Sequence, residues 1–401
     1  MKSFLLMLLL FLPNVLLRAQ LCDSTSLILR TVRASQTDAQ IAWELSASQV
    51  LYHPSCLHQG KLLLYLVGSF DGTLQSFKFN TLAAQMGYHV IVLKYENSVA
   101  AQSACAGSSD LNCYEKFRRE VIYGEELSSA VAVDSIHAIH NRLSRLIEYL
   151  ETNYPSEYWG QFLNGSAVDW QKVTVAGHSQ GGGHAAYIAQ QEEVDRAICF
   201  ASPNDYSNFY SKPAAWLSNA FRTSGDRLFG LNNLQDDVVD FSNQEEVWNV
   251  MPFTEKDTFF VEAQTSSFGS AQKLYLNYDA AGGSSDNHSA MIRDTETPLD
   301  SWGKPIFQPI WRYLLGESTT TAVFQSNPRT KAKVFARDHR ICFDSPEHSE
   351  RALRVFNSFG QLVYSEDQAF SRLVTPRYTD GVYIVCWEIA GALHYTRVVL
   401  M

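Results

Sequence analysis

The stretch Val173-Thr174-Val175-Ala176-Gly177-His178-Ser179-Gln180-Gly181-Gly182-Gly183-His184 reads as a buried strand, one abrupt turn and the start of a helix. Four apolar or β-branched residues lead into it, and Ala185 to Gln190 continue it in helix-compatible residues. Residues 177 to 181 spell G-x-S-x-G. A serine at so tight a strand-to-helix turn sits in strained backbone, and a Cβ two residues to either side would clash, so glycine is needed at both places. The turn lifts the Ser179 hydroxyl above the sheet edge. The helix that follows aims its free N–H groups and positive dipole end at any oxyanion formed there. Gly182 and Gly183 are expected to keep that helix close to the strands.

Working outward, Lys61 to Val67 and Tyr88 to Leu93 read as buried strands flanking a helix near Leu74 to Met86. Strand, helix, strand in that rhythm implies parallel pairing with right-handed crossovers. Ser26 to Arg33 and Ala39 to Ser46 suggest an opening hairpin. Val131, Ile136, Ile139, Leu143, Leu146, Ile147 and Leu150 recur at helical spacing, which predicts one long helix over residues 128–152. His137 and His140 lie on it and are expected to be solvated or packed. After the elbow come strands at Arg196 to Ser202, at Arg227 to Leu231 and, last of the series, at Lys273 to Tyr278, before a closing helix over Ser301 to Leu315. The fold class is therefore α/β, one doubly wound and mostly parallel sheet. Beyond a polar junction at Gly316 to Thr321 the chain turns to short strands punctuated by Gly and Asn, which predicts a small all-β sandwich.

A serine hydroxyl needs a base within hydrogen-bond reach, and the base needs an acid to fix its tautomer. In this architecture the chain order is Ser, Asp, His, and Ser179, Asp236, His288 fit it. His288 follows the last strand, whereas His89, His178 and His184 are tied to strands or helices and read as packing or pocket residues. Asp237 and then Asp205 are the alternative acids. The oxyanion would be held by the backbone N–H of Gln180 and a second N–H from Ser69 or Phe70, in the tight Gly68 to Gly72 loop. The aromatic excursion Tyr206 to Phe221 either walls the substrate with an apolar surface or packs itself down.

The chain has 401 residues, 46% hydrophobic and 18% charged, with a formal charge of −10 and no basic tract. On charge, nucleic acid and anionic membranes are poor candidate partners. Residues 1–19 have the make-up of a secretory signal peptide: Lys2, the apolar Leu5 to Leu12, then Leu17-Arg18-Ala19. Its removal leaves no segment long and apolar enough to span a membrane. Seven cysteines in an exported chain suggest disulfides with at least one thiol left over, and Cys199, in an apolar run, is the expected free one. Cys105 with Cys113 would close a ring worth roughly 2.5 kcal/mol. Cys22 with Cys56 and Cys342 with Cys386 are the other expected pairs. No C-x-x-C or ordered His/Cys spacing points to a metal, and the chemistry calls for no cofactor.

The elbow in its context, from Trp170 through G-H-S-Q-G-G-G-H-A-A, with Trp159, Cys105, Cys113, and Asp205 ahead of Pro213-Ala214-Ala215-Trp216, resembles a family of secreted bacterial α/β-hydrolases. The resemblance runs over roughly residues 45–316. It implies an α/β-hydrolase fold over 20–316 and serine hydrolase chemistry with Ser179 as nucleophile and Asp236 and His288 as its partners. Separately, Asn327-Pro328, the Asn357-Ser358-Phe359-Gly360-Gln361 turn, Gly381-Val382-Tyr383-Ile384-Val385 and the final strand resemble the C-terminal sorting domain of type IX secretion. That second resemblance implies a sorting domain at 325–401 behind a linker at 317–324. It also implies the type IX machinery as partner and a destination outside, or on the surface of, a Gram-negative cell. A small-molecule, lipid or polysaccharide ester is the expected substrate. A peptidase of the same fold, or a surface binding protein that has kept the elbow without catalysis, is the competing reading.

Overall fold

Short runs of Leu, Ile and Val, too brief for helices and flanked by turn residues, become the strands of one central sheet. The computed structural model describes residues 22, 25–41, 46–256, 258–261, 268–280 and 286–317, then 333–337, 339–344, 350–357, 362–366, 372–379, 381–389 and 392–400. The expected signal peptide, nearly all of the 317–324 linker and the turns at 358–361 and 390–391 lie outside them.

Nine strands make the sheet: β1 (Ile28–Val32), β2 (Ser48–Tyr52), β3 (Leu62–Leu66), β4 (His89–Leu93), β5 (Val173–His178), β6 (Arg196–Phe200), β7 (Leu228–Asn233), β8 (Thr258–Val261) and β9 (Lys273–Leu276). Their spatial order is β1-β2-β4-β3-β5-β6-β7-β9-β8. Every pair from β4 to β8 is parallel, and only β2 runs against the rest. β3 and β4 are buried at every position because helices cover both faces, which is why they read as unbroken apolar runs. Those helices are α1 (Phe77–Gln85), α2 (Cys113–Tyr123), α3 (Ile139–Asn153), α4 (Gln180–Gln191), α5 (Phe241–Val250), the short α6 (Asp286–Ser289) and α7 (Gln308–Leu314). Phe79 of α1 meets Phe200 of β6 and Trp311 of α7 edge-on, at 5.2 and 5.8 Å between ring centres, locking those helices to the middle of the sheet.

Three local expectations change. The partner of β1 is Ser48–Tyr52, not Ala39 to Ser46; this segment pairs with both β1 and β4 and is buried at every position. The helix expected over 128–152 begins only at Ile139: Glu120 of α2 accepts the amides of Leu127 and Val133, holding the preceding residues in a loop. The closing helix is confined to Gln308–Leu314, with Pro305 and Pro309 at its start. β8, which the sequence reading did not include, adds at the edge of the sheet outside β9.

Cys22 with Cys56 and Cys105 with Cys113 are paired, with Cα atoms 5.7 and 5.5 Å apart. Cys199 is a free buried thiol, as expected, and burial pushes it up to about 12. Cys342 is also free, so the expected pair with Cys386 is not formed. The two residues lie in different sheets. Those sheets belong to the C-terminal strands β10 (Lys333–Arg337), β11 (Arg340–Asp344), β12 (Glu350–Asn357), β13 (Leu362–Glu366), β14 (Arg372–Val374), β15 (Gly381–Ile389) and β16 (Ala392–Leu400). They pair antiparallel as β10-β11-β14 and β13-β12-β15-β16. Ile341 and Phe343 from the first sheet share one buried cluster with Leu353, Val355, Tyr383 and Val385 from the second. Among the described residues no helix is long and apolar enough to cross a membrane.

His89, on β4, gives the fold a pH dependence. It is buried against Trp159 and Phe162, with Nε2 2.8 Å from the Glu157 carbonyl, and burial lowers its pKa from 6.5 to about 4. A histidine depressed in this way favours folding fully above pH 6.5, where both states are neutral, and its contribution falls as the unfolded chain takes up a proton that the folded chain refuses. The expected loss is about 3 kcal/mol between pH 6.5 and pH 4. Denaturant titrations of wild type and His89→Phe across that range measure it: the variant should show the shallower slope.

Candidate active site

The elbow takes the geometry that its glycines allow. Ser179 sits at φ 52° and ψ −118°, between the end of β5 and the first turn of α4, and its N–H donates to the Phe200 carbonyl at 2.8 Å. A Cβ on Gly177 would lie 2.3 Å from the Gly181 carbonyl carbon, and one on Gly181 would lie 2.1 Å from the Leu66 carbonyl oxygen on β3. Gly181→Ala therefore forces backbone against backbone. It is expected to cost about 3 kcal/mol, the upper end of overpacking, which a shift of the thermal unfolding midpoint will read. Gly182 closes on Ser202 just past β6, as expected of a helix held to its strands. Gly183 instead makes room for a guanidinium: its Cβ would fall 2.0 Å from an Arg118 nitrogen.

The loop after β7 and the helix α6 bring the other two residues together. His288 Nδ1 lies 2.7 Å from Asp236 Oδ2, and both side chains are buried. Asp236 Oδ1 accepts the amides of Val238 and Val239 at 2.9 Å each, which turns Oδ2 toward the ring, and Gln244 donates to Oδ2 at 3.1 Å. Burial alone would raise the Asp236 pKa, but the His288 bond and charge and the two amides outweigh it, so the carboxyl is held below its ordinary value. His288 Nε2 is buried without a hydrogen-bond partner among the described residues. His288 and Ser179 line the same cavity of about 400 Å³, though no hydrogen bond joins the Ser179 hydroxyl to Nε2. Such contacts are often loose before substrate binds.

The two alternative acids are otherwise engaged. Asp237 accepts the His288 backbone N–H at 3.2 Å, while the ring Nδ1 faces Asp236. Asp205 forms a two-pronged pair with Arg118, whose Nε is 2.7 Å from Oδ2, and takes the Trp216 indole N–H at 2.8 Å. It is a buried structural carboxylate. Phe70 is likewise removed as an oxyanion donor, because its N–H is given to the Asn97 carbonyl at 2.8 Å. Ser69 remains, and its hydroxyl donates to Gln180 Oε1 at 2.9 Å, tying the β3 loop to the head of α4. The Gln180 N–H, at the first position of α4, has no acceptor within the helix.

The excursion Tyr206 to Phe221 does not wall the cavity. Trp216 is buried against Tyr187, the Asn208 and Phe209 amides donate to Ala106, and the Tyr210 hydroxyl donates to Ser109. The excursion is packed down on the ring that Cys105 and Cys113 close.

Three residues at the cavity went unnoticed in the sequence: Arg118, Asp71 and Arg293. Arg293 reaches Asp71 Oδ1 at 2.7 Å, and His178 bridges Asp71 Oδ2 at 3.4 Å and the His288 carbonyl at 3.2 Å. Burial lowers the His178 pKa, against the opposing pull of Asp71 and the His288 backbone. A signal for Arg118 did exist. It stands among Tyr114, Phe117, Val121 and Ile122 on the buried stripe of α2, where a charge needs a partner. His184, read as a packing or pocket residue, is fully buried 3.3 Å from Arg118, and burial and that charge hold its pKa well below the ordinary value. His137 pairs with Asp134, and His140 packs between Tyr123 and Trp170.

Only one group of described residues brings metal-ligand atoms together: Cys22, His53 and Cys56, within 4.8 Å. Its two sulfurs are joined to each other, which withholds the thiolates that a metal requires. Compared with models of known families and with curated proteins, the chain finds no match.

Proposed function

We propose that this protein is a serine hydrolase of α/β-hydrolase architecture acting on esters. Ser179 attacks the carbonyl. His288 takes the hydroxyl proton through Nε2 and returns it to the leaving alcohol, and Asp236 keeps Nδ1 protonated and steadies the imidazolium. The N–H groups of Gln180 and Ser69 receive the oxyanion, and water then repeats the sequence on the acyl-enzyme. The observation that carries this reading is the His288–Asp236 bond beside a strained serine, with the remaining imidazole nitrogen unpartnered and both residues on one cavity. The strand order, with a single reversed strand near one edge and the elbow after the fifth strand, also supports the α/β-hydrolase assignment.

A fluorophosphonate probe tests it. Wild type should label on Ser179 and Ser179→Ala should not; a wild type that stays unlabelled removes the reading and leaves a binding protein. Nitrophenyl esters against aminoacyl anilides then separate esterase from peptidase.

Export is part of the same proposal. The composition of residues 1–19 and the two disulfide pairs favour an oxidising destination. The Gly381-Val382-Tyr383-Ile384-Val385 segment, on β15, favours a type IX sorting role for the C-terminal strands. Mass spectrometry of the secreted form should find the new N-terminus at Gln20.

A further inference from the structure

The chemistry of the cavity narrows the substrate, given the hydrolase reading above. Its charged lining residues cancel in pairs, Arg118 with Asp205 and Arg293 with Asp71, so the cavity offers an incoming molecule no net charge. Phe70, Ala100, Ala101 and Val238 are among the residues that give the wall its carbon surface. Polar groups make up a comparable share of the wall, and among them Gln102 and Ser103 make no side-chain hydrogen bond within the described residues, which leaves their donors and acceptors for a ligand. A long acyl chain laid here would strip water from these amide and hydroxyl groups and return no hydrogen bond, a cost of about 1–3 kcal/mol for each group. The volume of about 400 Å³ lies toward the small end of ligand sites.

Phe70 adds a second, independent feature. The residue lines the cavity and is 73% exposed, and its backbone is held at φ 65°, a left-handed conformation that a bulky residue rarely adopts. The surroundings enforce it: the Phe70 N–H is bound by the Asn97 carbonyl, and the Asn97 amide donates to the carbonyls of Gly68 and Asp71 at 2.6 and 3.1 Å. A large ring held in solvent by a clamped, strained loop is a flat apolar platform at the mouth of a neutral cavity whose wall mixes polar groups with carbon.

We infer that the substrate is a short-chain acyl ester of a neutral, polyhydroxylated alcohol, an acylated sugar, whose C–H face stacks on Phe70 while its hydroxyls meet Gln102, Ser103 and Asn204. A pyranose has one carbon-rich face and an edge of hydroxyls, which matches both features. A fatty ester meets the apolar platform but leaves the polar groups of the wall without partners.

The experiment assays the full chain on methyl 6-O-acetylglucopyranoside, vinyl acetate, vinyl decanoate and an aminoacyl anilide, with fluorophosphonate labelling of Ser179 run in parallel. Wild type should hydrolyse the sugar acetate with kcat/KM about tenfold or more above the decanoate. Phe70→Ala should lower kcat/KM for the sugar acetate about tenfold relative to vinyl acetate, through KM, the size of one lost stacking contact, and Phe70→Trp should restore it. Preference for the decanoate or the anilide overturns the inference. So does a Phe70→Ala loss equal on both acetates, or one that Phe70→Trp fails to rescue. Labelling keeps the two readings apart: a labelled enzyme with the wrong preference defeats only this inference, and an unlabelled one defeats the hydrolase proposal beneath it.

Discussion

Ser179→Ala is expected to lower kcat on a short-chain ester about 10⁶-fold while leaving the thermal unfolding midpoint within a degree or two of wild type. The size follows from how such residues act: without the nucleophile the base and acid have nothing to activate, and only the oxyanion donors and the cavity continue to help. His288→Ala should fall nearly as far, and the double variant no further than the worse single one. Asp236→Asn should lose about 10⁴-fold, because the amide no longer accepts the Nδ1 proton and the ring settles in the wrong tautomer. Steady-state kinetics on the four variants checks all of this. If Asp236→Asn stays within about tenfold of wild type while Asp237→Asn drops by about 10⁴, the acid has been misassigned.

The second large effect belongs to Asp205. Both it and Arg118 are buried, and removing the carboxylate strands a guanidinium beside the Gln180 carbonyl and His184, with the Trp216 N–H unpaired as well. Breaking such a pair from one side costs about 3–5 kcal/mol, much more than the intact pair is worth against a well-packed apolar substitute. Asp205→Ala should therefore move the denaturant midpoint strongly, and Arg118→Met with Asp205→Leu should recover a good part of the loss. A variant with wild-type stability and no ester hydrolysis would instead return Asp205 to the catalytic apparatus. Because Arg118 touches the first turn of α4, at 3.3 Å from the Gln180 carbonyl, the single variant should also weaken catalysis.

Legibility in the sequence tracked the range of the interaction. The turn around Ser179 was readable because one of its two clashes is local: a Cβ on Gly177 meets Gly181, four residues away. The parallel pairing of the strands was readable because apolar runs alternate with helical spacing, a pattern each segment carries within itself. Helix ends were less so. The start of α3 is set by Glu120, 19 residues before Ile139, reaching the amides of the loop between them. β8 went unseen because it is a short edge strand whose pairing depends on β9.

What the chain determined by itself is the bend, its glycines at 177 and 181, and a carboxylate and an imidazole waiting on later loops. Which carboxylate faces the imidazole was decided only in three dimensions: Asp236 and Asp237 are adjacent, and the amides of Val238 and Val239 fix the rotation that presents the first to His288 and leaves the second to the backbone. The fates of Asp205, taken by an arginine 87 positions away, and of the Phe70 N–H, taken by Asn97, were decided there too. Local strain is written in neighbouring residues, whereas the partner of a buried polar group is whichever complementary group the folded backbone delivers to it.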